Sequence, residues 1–364
     1  MPDVLIYADT IRSPELRHEV PLLIGDPLIY VESGGERYVF AGSLELPRLV
    51  EVDGLRPDAF EALGFDELLQ SGVSRRDAEP ELVLRACKEL GLTHAVVPRS
   101  FPVGVADLVR SGGVELEPDA EFFARRRRAK TGAELAGIRR AVRASELALA
   151  RVRELLDSGP QTCEGLRTEI VRVVTEEGAG SPDPPIVSHG AQTAIGHDPG
   201  SGAIAPGEPV VVDLFPQDPD SGCYSDLTRT FCVGEPPEEL VTYHRLCKEA
   251  LDLVLPEIRP GASGEELHRL SCSVFEAAGY PTQLTKAPGE VLEEGFYHAL
   301  GHGVGLELHE APNVGRRGDE LVAGDVVAIE PGCYRPGFGG CRLEDVVLVT
   351  DSGAELLSHF PHDL

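Results

Sequence analysis

Residues 298–349 read HALGHGVGLELHEAPNVGRRGDELVAGDVVAIEPGCYRPGFGGCRLEDVVLV, and this stretch decides the reading of the chain. Glu330 ends the apolar run Val326, Val327, Ala328, Ile329, and Glu344 stands just ahead of Val346, Val347, Leu348 and Val349. Both carboxylates therefore border segments with the composition of buried strand. An ionised carboxylate in such a place is costly unless it is paired or binds a cation. Arg342, close by in sequence, meets only part of that demand.

The same pattern recurs upstream. PVVVDLFP (209–216) puts Asp213 at the end of a three-valine run, and YSDLTRTF (224–231) puts Asp226 in a second β-rich run. The segment between them, FPQDPDSGCYS, is rich in turn residues and predicts a hairpin that sets the two aspartates facing each other across a ladder. Four carboxylates gathered in one core call for strong positive charge, most simply divalent metal. His302 adds a nitrogen donor, and its flanking glycines in GHGVG are expected to let backbone approach a metal closely. Oxygen-rich ligation with one imidazole suits Mn, Co or Fe better than a thiolate zinc site. Five donors are enough for two adjacent ions sharing carboxylate bridges.

Composition narrows the function classes. The chain has 364 residues, with 33 basic against 61 acidic residues and a net charge of -28, which disfavours binding to nucleic acid or anionic membrane. No apolar run reaches the roughly 18 residues of a membrane helix, and the opening MPDVLIYADT lacks the features of a signal peptide. The expected location is cytoplasmic. The eight cysteines are scattered without a C-x-x-C pair and read as buried free thiols, Cys333 and Cys341 included.

Two domains are expected. Residues 1–128 alternate short apolar runs (VLIYA, PLLIG, YVFAG, HAVVP) with helical and turn-rich stretches, which predicts a small α/β domain without a catalytic cluster. The run Arg125–Arg128 reads as a solvated helix approach or a contact to an acidic neighbour. Residues 129–364 open on a long helix with Thr131 as N-cap and Glu134 three residues on. A faint repeat follows: GPQTCEGLRTEIVRVVTEEGA (159–179) and RPGASGEELHRLSCSVFEAAG (259–279) each precede a β-rich section carrying two carboxylates. Two related α-plus-β halves would bring distant carboxylates together. His197, on a Gly/Pro-rich loop before the Asp213 run, is placed at the site or in solvent with even weight. His189 is less expected there.

The ordered set Asp213, Asp226, His302, Glu330 and Glu344, in VVVDLF, YSDLTRTF, GHGVGLELHEAP, AIEPGCY and RLEDVVLVT, resembles the pita-bread metallopeptidases. That family includes methionine aminopeptidases, Xaa-Pro aminopeptidases and Xaa-Pro dipeptidases (prolidases), and a separate N-terminal domain resembles the Xaa-Pro branch. The resemblance implies a creatinase/prolidase-like α/β N-terminal domain followed by an α+β pita-bread catalytic domain with a pseudo-two-fold internal repeat. It implies Asp213 as terminal ligand of one ion, His302 and Glu330 as ligands of the other, and Asp226 and Glu344 as bridges. Glu330 is also the implied general base and acid. His197, His298 and His309 are the implied substrate-side histidines, the last two steadying the oxyanion. Two divalent ions, Mn first and Co or Zn next, and a homodimer are further implications. After HEAP, prolidases commonly carry an arginine for the substrate carboxylate, where this chain has Asn313, with Arg316 and Arg317 a little later. The expected activity is therefore Xaa-Pro aminopeptidase, with Xaa-Pro dipeptidase as the alternative. Hydrolysis of a non-peptide C–N bond such as that of ectoine, and peptide binding without catalysis, are the readings from other classes.

Overall fold

The computed structural model describes residues 2–364 and divides into two compact units, Met1–Arg127 and Arg128–Leu364. In the first unit the strands are β1 (Val4–Ala8), β2 (Leu28–Ser33), β3 (Glu36–Ala41), β4 (Leu55–Ala59), β5 (His94–Val97) and β6 (Glu115–Pro118). They form one mixed sheet in the order β4-β3-β2-β1-β5-β6. The helices are α1 (Pro14–Glu19), α2 (Leu46–Leu49), α3 (Phe65–Gln70), α4 (Arg75–Glu89), α5 (Val103–Ser111) and α6 (Ala120–Arg128).

Side-chain alternation explains the layering. Leu5, Ile29 and Val31 pack with Leu82, Val83 and Val109 of α4 and α5, whereas Val4, Ile6, Leu28 and Tyr30 pack with Leu16 and Phe123 of α1 and α6. With both faces covered, β1 and β2 are apolar at nearly every position. The apolar run at 21–25 is not a strand, a departure from the alternating α/β reading. The Thr10 hydroxyl donates to the Leu22 carbonyl and accepts from the Ile24 N–H, so these backbone groups are satisfied without a ladder. Of the basic run, Arg126 bonds Glu19 and Glu32, which selects the acidic-neighbour reading over the solvated one.

The second unit begins with α7 (Gly132–Ser158), whose Thr131 and Glu134 form a reciprocal capping box. Then come α8 (Cys163–Glu176) and the sheet β7-β8-β9, with β7 at Ile186–His189, β8 at Pro209–Leu214 and β9 at Leu227–Cys232. The plan repeats with α9 (Glu238–Val254) and α10 (Gly264–Ala277), followed by β10 (Gly301–Gly303), β11 (Glu310–Val314) and β12 (Val326–Ile329). The chain ends through β13 (Gly332–Arg335), β14 (Gly339–Arg342), β15 (Asp345–Val349) and β16 (Ala354–Leu356). The second sheet runs β11-β10-β12-β15-β16, and β13-β14 is a separate hairpin. The first unit is thus an α/β domain, and the second is an α+β pita-bread fold with two related halves.

Period-two alternation aims the polar residues. Val210, Val212, Leu214 and Leu227 join the core formed with α7 and α8, so Asp213, Asp226 and Thr228 take the opposite face. Val327 and Ile329 join the core formed with α9 and α10, leaving Glu330 in phase with Val326 and Ala328. His302 pairs with Ala328 across the β10–β12 ladder and shares that phase. Each half thus turns its apolar face to helices and its carboxylates to the other half.

Candidate metal centre

Three overlapping groups of side chains define the site: Asp213, Asp226 and Glu344; His302, Glu330 and Glu344; and Asp226, His302 and His309. Within each group one ligand atom per residue lies within 4.8 Å of the others. All five residues singled out as donors in the sequence are in this cluster, and the structure adds His309. The His302 Nε2 stands 3.5 Å from Asp226 Oδ2 and 3.8 Å from Glu330 Oε1.

Local structure differs from expectation at the aspartate pair. Asp213 pairs with Thr228, and Asp226 lies just ahead of β9, so the two aspartates are not opposite each other in the ladder. They share a face because their offset preserves the alternation, and they converge from neighbouring strands. The glycines beside His302 are required by strand packing. A Cβ on Gly301 would sit 2.0 Å from the Ala328 carbonyl oxygen, and one on Gly303 would sit 2.3 Å from that of Ala311. Only glycine lets β10 fit between β11 and β12 at these points.

The electrostatics are those of an undercompensated acidic cluster. Burial, then repulsion from neighbouring carboxylates, holds Asp226 and Glu330 well above the ordinary carboxylate range. Burial and Asp213 push Glu344 up to about 8. One cation opposes them: Arg342, whose Nη2 donates to Asp213 Oδ2 at 2.7 Å. Asp213 Oδ1 is buried with no hydrogen-bond partner among the described residues. An orphaned carboxylate oxygen beside three further carboxylates and an imidazole fits divalent cations. His302 is prepared for the same task. Its Nδ1 lies 3.1 Å from the Gly303 carbonyl, which can only accept, so Nδ1 carries the proton and Nε2 presents its lone pair. Burial and the nearby His309 hold its pKa down at about 4, keeping the ring neutral.

The cluster lines a cavity of about 1270 Å3 that also contains His197, His298, His309, Phe215, Tyr297 and Asn313. The three histidines are differently placed. His197 and His309 are exposed on the cavity wall. His298 has both nitrogens engaged, Nδ1 on the Ala299 carbonyl at 2.8 Å and Nε2 accepting from the Tyr334 hydroxyl at 2.9 Å. His189 lies outside the cavity lining, bonded to Glu208 and the Ser201 carbonyl. All eight cysteines are free, seven of them buried and Cys232 half-buried. Sequence reading missed Tyr334 and Thr228. Tyr334 also receives a bond from Arg342 at 3.3 Å, and Thr228 donates to Glu344 at 2.7 Å. The signal available was their spacing: Tyr334 is in phase with Glu330, and Thr228 with Asp226.

An acidic cluster with one neutral imidazole, at the meeting of two related α+β halves and open to a large cavity, defines a metal-dependent hydrolase. Residues 136–351 match the model of metallopeptidase family M24, and the chain belongs to that family. The probable dipeptidase PepE of Mycobacterium tuberculosis is 31% identical over 315 residues, covering 81% of this chain and 80% of that protein. Among solved structures, an Xaa-Pro dipeptidase from Bacillus anthracis superposes with a TM-score of 0.82 at 23% identity, covering 100% of this chain and 94% of that one. An X-Pro aminopeptidase from Thermotoga maritima gives 0.81 at 21% identity, covering 100% and 97%. These two likenesses show the fold. Among the described residues, no helix is long and apolar enough to cross a membrane.

Proposed function

We propose that the chain is a dinuclear metal-dependent aminopeptidase that releases the N-terminal residue ahead of proline from peptides of three or more residues. The observation that carries this reading is the charge of the cavity wall. Its one lining arginine, Arg342, is engaged by Asp213, Tyr334, Thr228 and the Gly196 carbonyl, while Asp183 and Glu293 add negative charge. A dipeptide would have to place its proline carboxylate against a lining that has no lysine and no second arginine among the described residues. A longer peptide carries a neutral amide there instead.

In this reading Asp213, Asp226, His302, Glu330 and Glu344 hold two ions, with manganese preferred for the oxygen-rich donor set and Co or Zn as substitutes. Such ions, when bound, supply a nucleophilic water at neutral pH and positive charge opposite the developing oxyanion. Glu330 takes the proton of the attacking water and passes it to the leaving proline nitrogen, which has no N–H of its own in the peptide. His309, exposed beside His302 with ring centroids 4.2 Å apart, donates to the oxyanion. His197, exposed on the same cavity lining, holds the peptide. His298, with its Nδ1–H on the Ala299 carbonyl and its Nε2 accepting from Tyr334, has no N–H to offer an oxyanion and carries the substrate-side wall. A homodimer in the cytoplasm is part of the same proposal.

The names of the relatives favour a second reading, Xaa-Pro dipeptidase, and one assay separates the two. Metal-stripped protein reloaded with Mn is given Xaa-Pro-Yaa tripeptides and Xaa-Pro dipeptides. The aminopeptidase reading expects kcat/KM higher by at least about tenfold for tripeptides, or about 1.4 kcal/mol of preferential transition-state binding. Equal or reversed values give the dipeptidase, and no metal-dependent cleavage of either removes both.

A further inference from the structure

Glu344 lies between β14 and β15, outside any ladder, so its side chain needs a fixed partner to hold one orientation. That partner comes from the other half of the fold. Thr228 on β9 is fully buried and donates its hydroxyl hydrogen to Glu344 Oε2 at 2.7 Å. The same oxygen of Thr228 accepts from Arg342 Nε at 3.3 Å, and the Thr228 carbonyl accepts the Glu344 N–H at 3.1 Å. One hydroxyl therefore ties a carboxylate of the cluster to the guanidinium that compensates Asp213. The next residues on β9 hold the same crossing. Arg229 donates to the Glu344 carbonyl, and Thr230 bonds both the N–H and the carbonyl of Arg342.

We infer that Thr228 is the positioning residue that sets the Glu344 carboxylate for ion binding, keeping Oε2 occupied by its hydroxyl and turning Oε1 toward Asp213, Asp226 and His302. The inference rests on the metal centre proposed above. A hydroxyl has one proton to give, and here it goes to the acceptor-only carboxylate because Arg342 can only donate. A carboxylate held in this way enters the cluster already oriented, so ion binding does not have to immobilise it.

The test compares the metal-stripped full chain with Thr228→Val and Thr228→Ser, each titrated with MnCl2 by calorimetry, alongside melting of the stripped proteins. Thr228→Val keeps the shape and removes the donor, and is expected to weaken Mn binding about 10–100-fold. Thr228→Ser restores the donor and is expected to bind close to the parent. A Thr228→Val protein that melts lower when stripped but binds Mn as tightly as the parent shows a purely structural threonine and overturns the inference alone. So does a Thr228→Ser protein as weak as the valine variant. A parent that binds no Mn overturns the metal centre and the inference together. Should Thr228→Val not fold, Thr228→Ala, which also lacks the donor, takes its place, and unchanged Mn affinity there overturns the inference equally.

Discussion

Arg342 Nη2 and Asp213 Oδ2 are 2.7 Å apart, joining the one arginine of the cavity wall to the carboxylate whose other oxygen has no hydrogen-bond partner among the described residues. Both side chains are nearly inaccessible, so neither charge is relieved by water. Arg342→Met removes compensation from a cluster already in carboxylate excess. Urea unfolding of the metal-stripped variant is expected to show a loss of about 3–5 kcal/mol. A stripped variant as stable as the parent would mean that the pair is not what balances Asp213.

Glu330→Gln keeps size and shape while removing the proton acceptor assigned to the reaction. The turnover number is expected to fall by about 10²–10⁴-fold. Circular dichroism should match the parent's, and the melting temperature of the stripped protein should be equal to the parent's or higher, since Gln relieves carboxylate repulsion. Turnover within a few-fold of the parent would assign the proton transfer elsewhere.

Metal binding at this site is expected to be linked to folding, because burial and mutual repulsion hold Asp226, Glu330 and Glu344 above the usual carboxylate range when no cation is present. Chelation should therefore lower the melting temperature as well as abolish peptidase activity. Adding Mn at about 100 times its dissociation constant should return about 2.7 kcal/mol of stability per independent site. A melting temperature that does not respond to Mn would separate the cluster from ion binding.

His268 gives a pH-dependent contribution away from the cluster. The ring is fully buried on α10, its Nε2 3.6 Å from Cys272 Sγ and its centroid 5.7 Å from Phe296. Burial, reinforced by Arg316, depresses its pKa from 6.5 to about 4. The unfolded chain thus binds the proton first as pH falls. The contribution is complete above pH 6.5 and is lost between there and about pH 4, amounting to up to about 3 kcal/mol. Urea unfolding of His268→Leu and the parent across this range should show the parent losing more stability on acidification. A constant difference would place the acid sensitivity in other groups.

Much of the fold was legible because it rests on local regularities. Thr131 and Glu134 lie at capping-box spacing, and the structure forms that box at the start of a 27-residue helix. The repeated helix-then-strand plan was visible in the Pro/Gly turns and leucine positions ahead of α8 and α10. The run at 21–25 misled because its composition matches a strand while its backbone groups bond to Thr10. The packing need for the glycines around His302 was out of view for a related reason: it comes from carbonyls of neighbouring strands, which sequence order does not bring together.

By itself the sequence determined the inventory of candidate donors, Asp213, Asp226, His302, Glu330 and Glu344, and the strand phase on which each lies, because alternation is a property of consecutive residues. Tertiary structure alone decided their partners. Thr228 meets Glu344 from 116 positions away, Arg342 meets Asp213 from 129, and Tyr334 meets His298 from 36. Such contacts follow from where two sheets cross, and that crossing is set by the helices packed behind each sheet rather than by any pattern along the chain.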